Sequence, residues 1–424
     1  MKIIIHKNFF EEVFVVISLL LFTDALISLV REELGFKLDA SSGDGIMQVL
    51  LFGIYGITFF FIRWQKVVWA VTKEKLAFVL VTFALSSVVW SVAPPVTLRR
   101  SIALVGTTIF GTYLATRYSL KDQLRLLAWA LGIACLLSLV FAVALPKYGV
   151  HQIGTHVGAW RGIYTHKNAM GRALSLSFMV FLLLALEGGR HRLVKWASLG
   201  LTVALIRMST SATPLLSSLT LVSFLPLYWV LQLRHPLSAP LFAMGVMAGT
   251  TITTWFFGNV EAILGAAGRD LTFSGRTELW SVLLDMINKH PWLGYGYSAF
   301  WLGEKGESGK VWNIIGWQPT YAHNGYLQLG LDLGWGGIWI FALGFFINLM
   351  RALTRAHTNK TASGLLPLTY LTLMLPYNIS DSVILQQNNI FWVLYVAMSL
   401  SLVVQHQESP QMSASAKLAA KEKG

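Results

Sequence analysis

Long apolar runs separated by short polar stretches make up most of this chain. A helix needs about 20 apolar residues to span a bilayer. Such runs lie near 10–30, 46–62, 76–94, 101–116, 126–145, 169–186, 194–209, 213–232, 238–257, 327–350, 364–379 and 389–405. The pattern predicts an all-α polytopic membrane protein with about 12 transmembrane helices. The first run follows Lys2, Lys7, Glu11 and Glu12 and has no small-residue cleavage site. It reads as a retained helix rather than a signal peptide.

Residues 258–322 break the pattern between the ninth and tenth runs and are too long for a simple connection. The chain thus divides into helices one to nine (1–257), a loop domain (258–322), helices ten to twelve (323–405) and a polar tail (406–424) expected to be disordered. The loop contains SGRTELWSVLLDMINKHP. Ser274 is the expected N-cap, and Leu279, Val282, Leu283, Met286 and Ile287 form an apolar stripe at helical spacing. Pro291 follows the end. Trp292, Trp301, Trp312 and Trp317 crowd the rest of the loop. Tryptophan favours the bilayer interface; stacking on sugar is the alternative.

Composition supports a lipid environment. Of 424 residues, 55% are hydrophobic and 12% charged, against roughly a quarter charged in soluble domains. The single Cys135 excludes an internal disulfide and a thiolate metal site. The net charge of +13 follows the positive-inside pattern. With a cytoplasmic N-terminus, Arg63, Lys66, Lys73, Lys75, Arg117, Lys121, Arg125, Arg190, Arg192, Lys195, Arg234, Arg351, Arg355, Lys360, Lys417, Lys421 and Lys423 face the cytoplasm. Both termini are then cytoplasmic and the long loop is periplasmic. No nucleic-acid motif is present.

The exceptions carry the chemistry. Arg99, Arg100, Arg161, Lys167, Arg172, Arg207, Arg269 and Arg276 fall in or near outer segments. Charges near the membrane are costly and usually have partners. Asp270 and Glu278 lie beside the loop arginines, and the other outer segments are expected to carry no acid. The expected partner is an anionic ligand, for which the arginine fork suits phosphate. Snorkelling to headgroups is the alternative. Arg276 lies in the first turn of the amphipathic helix, where the dipole attracts an anion.

Helix ten opens with YAHNGYLQLGLDLGWGG. At ~100° per residue, Gly330, Gly334 and Gly337 fall within about 40° of His323, and Asp332 lies opposite. The glycines predict a seam against a neighbouring helix, with His323 at its outer end. A histidine at a helix N-terminus tends to stay neutral, as a general base requires. A structural histidine bonded to a loop carbonyl is the other reading. His151, His156 and His166 are weaker candidates for the base.

His323-Asn324, nine residues, Gly334, two residues and Gly337 resemble the H-[N/S/Q]-x9-G-x-x-G motif of O-antigen ligases. SGRTELW…HPWLGYGYSAF, VWSVAPPVTLRRS and YTHKNAMG are similar to the wider family, which includes O-antigen polymerases and O-linked oligosaccharyltransferases. The resemblance covers roughly residues 80–400. It implies a membrane-embedded glycosyltransferase that uses neither metal nor cofactor. The implied donor is a glycan on undecaprenyl pyrophosphate. The implied acceptor is a sugar hydroxyl of lipid A–core, at the periplasmic face of a Gram-negative inner membrane. His323 matches the motif histidine and Arg276 the loop arginine. Arg207, in ALIRMSTSATP, is the candidate for a third arginine near the outer end of helix seven. Arg161 and Arg100, then Arg99, Lys167, Arg172 and Arg269, complete the expected pyrophosphate set. A polymerase or oligosaccharyltransferase of the same fold is the nearest rival. A lipid-linked sugar flippase is the rival from another class, but no internal repeat of the transporter kind is evident.

Overall fold

The computed structural model describes residues 2–26, 45–232 apart from 63 and 155, a few residues between 240 and 248, and 275–404. The described residues are almost wholly helical and lack β-strands; one isolated bridge joins Val150 and Trp160. Every expected run except 238–257 falls on a described helix. Most of that run, the tail, Arg269 and Ser274 lie outside the described residues.

The first half comprises Lys2–Phe22 (α1), Gly45–Phe61 (α2), Trp64–Lys73 (α3), Leu76–Ser86 (α4), Pro94–Arg117 (α5) and Leu120–Ala144 (α6). Lys167–Glu187 (α7), Arg192–Ser209 (α8) and Ala212–Gln232 (α9) follow. Arg276–Lys289 (α10) and Glu307–Ile315 (α11) lie in the loop. Gly325–Thr358 (α12), Ala362–Ser380 (α13) and Ile390–Val404 (α14) complete the chain. By length and composition, α6, α7 and α12 can each cross a membrane. Shorter apolar helices flank them: Gln48–Phe61, Leu76–Val89, Ala212–Pro226 and Ile390–Val404. The apolar window of α7 is 83% buried, against 44% for α6 and 39% for α12. Thus α7 is the central post, packed on α6, α8, α9 and α13. By contrast α6 exposes Trp129, Leu136, Val140 and Val143, a face that only an apolar solvent would tolerate.

Several boundaries differ from the sequence pattern. The first helix ends at Phe22, and Asp24 and Leu26 take left-handed backbone in the turn after it. The paired Pro94 and Pro95 start α5 early, because proline suits the first helical turn, so Arg99 and Arg100 sit on helix rather than in a loop. Gly275, with φ of 100°, occupies the N-cap of α10 expected for Ser274.

Among the described residues, the glycine seam meets a neighbouring helix only at Gly330, which faces Ile287 of α10. Gly334 has φ 63° and ψ −163°, so α12 is two helical pieces joined at a kink. What fills the kink is not a neighbouring membrane helix but the loop itself. Trp335 and Gly336 donate N–H groups to the carbonyls of Pro291 and Trp292 at 2.6 and 3.2 Å. Tyr295 and Gly296 donate to Leu331 and Asp332 at 2.8 and 3.1 Å. The backbone groups freed by the kink are thus satisfied, as burial requires. A Cβ on Gly334 would stand 2.5 Å from the Pro291 carbonyl oxygen, and one on Gly330 would meet Ile287 at 2.9 Å.

The other side of the same loop strand is held by the turn before α5. Val92 donates to the Tyr295 carbonyl at 3.0 Å, and Trp90 Nε1 to Leu293 at 3.0 Å. Tyr297 N donates to Ser87 Oγ at 2.8 Å. The loop also has its own core. The stripe residues Leu279, Leu283, Met286 and Ile287 pack with Tyr295, Phe300, Val311 and Ile315, with Val282 alongside.

Candidate functional site

His323 stands just outside α12 rather than on it. Asn324 is the cap: its Oδ1 accepts from the N–H groups of Tyr326 and Leu327 at 3.0 and 3.1 Å. His323 precedes this cap in left-handed backbone, φ 50°. The entry to α12 is pinned to the end of α13. Asn324 N donates to Ser382 Oγ at 3.1 Å, and a Cβ on Gly325 would stand 2.1 Å from Asn378 Oδ1. The imidazole lies 3.9 Å from the Tyr321 ring and 6.1 Å from Trp317, centroid to centroid. Its Nδ1 is buried with no hydrogen-bond partner among the described residues. Burial, and then the charge of Arg276, push its pKa down to about 3. The ring is therefore neutral, through burial more than through a helix dipole.

Arg276 opens α10 and donates from Nη1 to the Ser380 carbonyl at 3.1 Å. Burial lowers its pKa, and the neighbouring Tyr321 and Asp381 oppose that shift. Arg172, on α7, reaches Asp24 at 3.4 Å and Asp381 at 4.0 Å. The expectation that an anionic ligand is the sole partner of the outer cations therefore fails for Arg172. Its partners come from the turn after α1 and the turn after α13, so the expectation that the other outer segments carry no acid is also wrong: Asp381 lies in one of them, and Glu32, Glu33, Asp39 and Asp44 stand in sequence between the first two runs.

Asp381 was not singled out from sequence, yet it sits among Arg172, Arg276 and Tyr377, whose hydroxyl donates to Oδ2 at 3.3 Å. The available signal was a polar stretch, NISDSVILQQNN, between two apolar runs. Asn378, Ser380, Asp381, Ser382 and Asn389 of that stretch are all buried.

A second cationic group adjoins the first. The rings of His151, His156 and His166 lie 5.0 to 6.1 Å apart. His166 caps α7, its Nδ1 accepting from Asn168 N at 3.2 Å, and His151 Nε2 accepts from Lys167 N at 3.1 Å. Burial holds both near pKa 4, with Arg161 adding to the effect on His151 and Lys167 to the effect on both. The charge of Arg172 also reaches His166. Arg161, Lys167, Arg172 and Arg276 therefore form a strip leading to His323.

Arg207 is exposed in the last turn of α8, where the next residue, Met208, accepts from Trp160 N at 3.1 Å. That places it near Arg161 but not at His323. Arg99 is exposed. Arg100 turns the other way, onto Ser298, whose carbonyl and hydroxyl both accept from it. It lines a separate cavity with Asp332. Asp332, on the opposite face to the glycines by the helical repeat, is buried beside the loop.

A neutral buried imidazole beside a cationic strip suits transfer chemistry with an anionic leaving group. Residues 196–342, which include Arg207, Arg276 and His323, match the family described as O-antigen ligase. Among individual relatives, the chain is 25% identical over 323 residues to the "Exopolysaccharide production protein ExoQ" of Rhizobium meliloti (strain 1021). That match covers 72% of this chain and 73% of the relative. It is 27% identical over 229 residues to the "General O-oligosaccharyltransferase" of Acinetobacter baylyi (strain ATCC 33305 / BD413 / ADP1), covering 47% of this chain and 39% of that protein.

Proposed function

We propose that this protein transfers a glycan from undecaprenyl pyrophosphate to a sugar hydroxyl of lipid A–core, as an O-antigen ligase of the inner membrane. The observation that carries the reading is the neutral His323 imidazole, packed on Tyr321, with Arg276 close enough to depress its pKa. His323 takes the proton of the acceptor hydroxyl. The hydroxyl oxygen bonds to the anomeric carbon as the bond from that carbon to the pyrophosphate oxygen breaks. Negative charge grows on the leaving pyrophosphate, where Arg276 and Arg172 stabilise it. Arg161, Lys167 and Arg207 extend the cationic path for the donor. A single displacement inverts the anomeric centre and needs no metal.

The orientation is supported by charge pairing at the far end. Glu11 and Glu12 pair with Arg117 and Arg125 at 2.6 and 2.5 Å, and Glu74 pairs with Arg351. Arg351 is roughly 26 Å along the second piece of α12 from the Gly334 kink, at 1.5 Å per residue. That is close to the hydrocarbon core of a bilayer, about 30 Å. These cations stand on the side assigned to the cytoplasm, and His323 on the periplasmic side.

The extent of the match to an exopolysaccharide production protein favours a second reading, in which the acceptor is another lipid-linked glycan. One assay separates the two. Purified protein is mixed with undecaprenyl-pyrophosphate glycan and lipid A–core, with a chelator present throughout. Glycosylated lipid A–core, formed by wild type and lost in His323→Ala and Arg276→Ala, is the expected result. Longer glycans on the carrier alone would make it a polymerase. Transfer that requires an added divalent ion, or a product retaining the donor configuration, would overturn the mechanism.

A further inference from the structure

A cavity of about 400 Å³ lies between the loop and the end of α13, within the range of about 300–1,000 Å³ typical of ligand sites. Its walls include Arg100, Trp301, Trp312, Gln328, Asp332 and Gln387. This lining differs from the strip at Arg172 and Arg276: a single acid faces a single base, and indoles, amides, hydroxyls and a few aliphatic side chains make up the remainder. We propose that the cavity is a sugar-binding subsite that receives an uncharged glycosyl unit of one substrate, with Asp332 as the residue that reads its hydroxyls. The inference rests on the glycan-transfer reading above and adds to it where one sugar sits.

The hydrogen-bonding capacity supports an uncharged polyhydroxy ligand. Asp332 is 6% exposed yet borders the cavity. Its carboxylate takes hydrogen bonds from Gln328 Nε2 at 3.0 Å and from the backbone N–H of Ser298. A carboxylate has about four acceptor positions, so acceptor capacity remains for hydroxyl donors. Arg100 offers N–H donors on the same wall, and Gln387 offers an amide. An array of donors and acceptors suits hydroxyl groups, which both give and take hydrogen bonds. Arg100 and Asp332 offset each other, so the cavity offers a phosphate no net positive charge, whereas the strip sets Arg161, Lys167, Arg172 and Arg276 against Asp24 and Asp381. Trp301 and Trp312 are held by their Nε1 groups, bonded to Gln328 Oε1 and to the Pro319 carbonyl, both at 2.9 Å. Rigid indoles of this kind supply large contact area for a sugar ring.

The cavity also adjoins the reacting group. Tyr321 and Ser382 line it. Tyr321 stacks on His323 and Ser382 anchors Asn324. A sugar in the cavity would thus reach toward His323 past Tyr321.

Saturation-transfer NMR on the full-length protein in detergent tests this, with maltose, lactose and N,N′-diacetylchitobiose as separate probes. At least one should bind wild type and His323→Ala alike. Asp332→Asn and Trp312→Ala should weaken that binding about tenfold or more, the scale of a lost charged hydrogen bond. Inorganic pyrophosphate should not displace the sugar. Should Asp332→Asn misfold, Gln387→Ala provides the same reading, because Tyr297 keeps its 2.7 Å bond to the Leu385 carbonyl. No signal with any probe, unchanged binding in the variants, or displacement by pyrophosphate would each overturn the subsite. Failure of the transfer reading is scored separately, as absence of product from the lipid-linked donor in the same preparation.

Discussion

Burial that pushes the His323 pKa down to about 3 keeps the imidazole unprotonated across the physiological range but also weakens it as a base, and the negative charge of a bound pyrophosphate would raise it back toward the range a general base needs. His323→Ala should therefore reduce transfer by about 10²–10⁴-fold, the usual contribution of a general base. The same burial has a measurable consequence for stability. His151 and His166 titrate near 4 when folded, against 6.5 when exposed. Between those values the unfolded chain binds protons that the folded chain excludes, so stability is full above about 6.5 and falls as pH drops toward 4. The melting temperature in detergent should decline between about pH 7 and pH 4.5. His166→Asn, which retains a capping side chain, should make that decline shallower; an unchanged slope would count against buried neutral histidines. Residue identity made His323 and Arg276 legible in the sequence, because a histidine and an arginine at outer ends need a reason to be there. Asp381 was not legible, since its partners Arg172 and Arg276 lie far away along the chain and only folding joins them.

At the scale of elements, the loop strand 291–296 is clamped between the turn before α5 and the kink in α12. Gly334 makes the kink possible, with left-handed φ and no room for a Cβ. Gly334→Ala should destabilise the protein by more than about 1 kcal/mol, from backbone strain and collision with Pro291. It should lower the melting temperature and free the loop for proteolysis. A variant as stable and protease-resistant as wild type would show that the clamp is dispensable. The apolar stripe of α10 could be read from periodicity because a helix buries one face at fixed spacing. The kink could not, because a helical wheel assumes continuous geometry, and φ at Gly334 breaks it. The seam was therefore visible as glycines, and Gly330 does meet a helix, α10, but the contact of Gly334 with the strand at Pro291 was not visible.

Over the whole molecule, the charges separate into two ends. Arg117, Arg125 and Arg351 are neutralised by glutamates at one end, and the cationic strip and His323 gather at the other. A Cys135→Ser background leaves no native thiol. In it, Thr320→Cys, exposed in the loop, should react with a membrane-impermeant maleimide in intact cells. Lys360→Cys, exposed between α12 and α13, should react only after lysis. The reverse pattern would invert the topology.

The sequence by itself determined the medium and the candidates: apolar runs of spanning length demand lipid, and polar groups costly in lipid mark themselves as functional. Tertiary structure alone decided which of them meet. It joined Arg172 to Asp381, set Arg100 against Asp332 across a cavity, and gave the glycines a loop to hold. Contacts between distant segments depend on helix packing and backbone direction, which local periodicity does not encode.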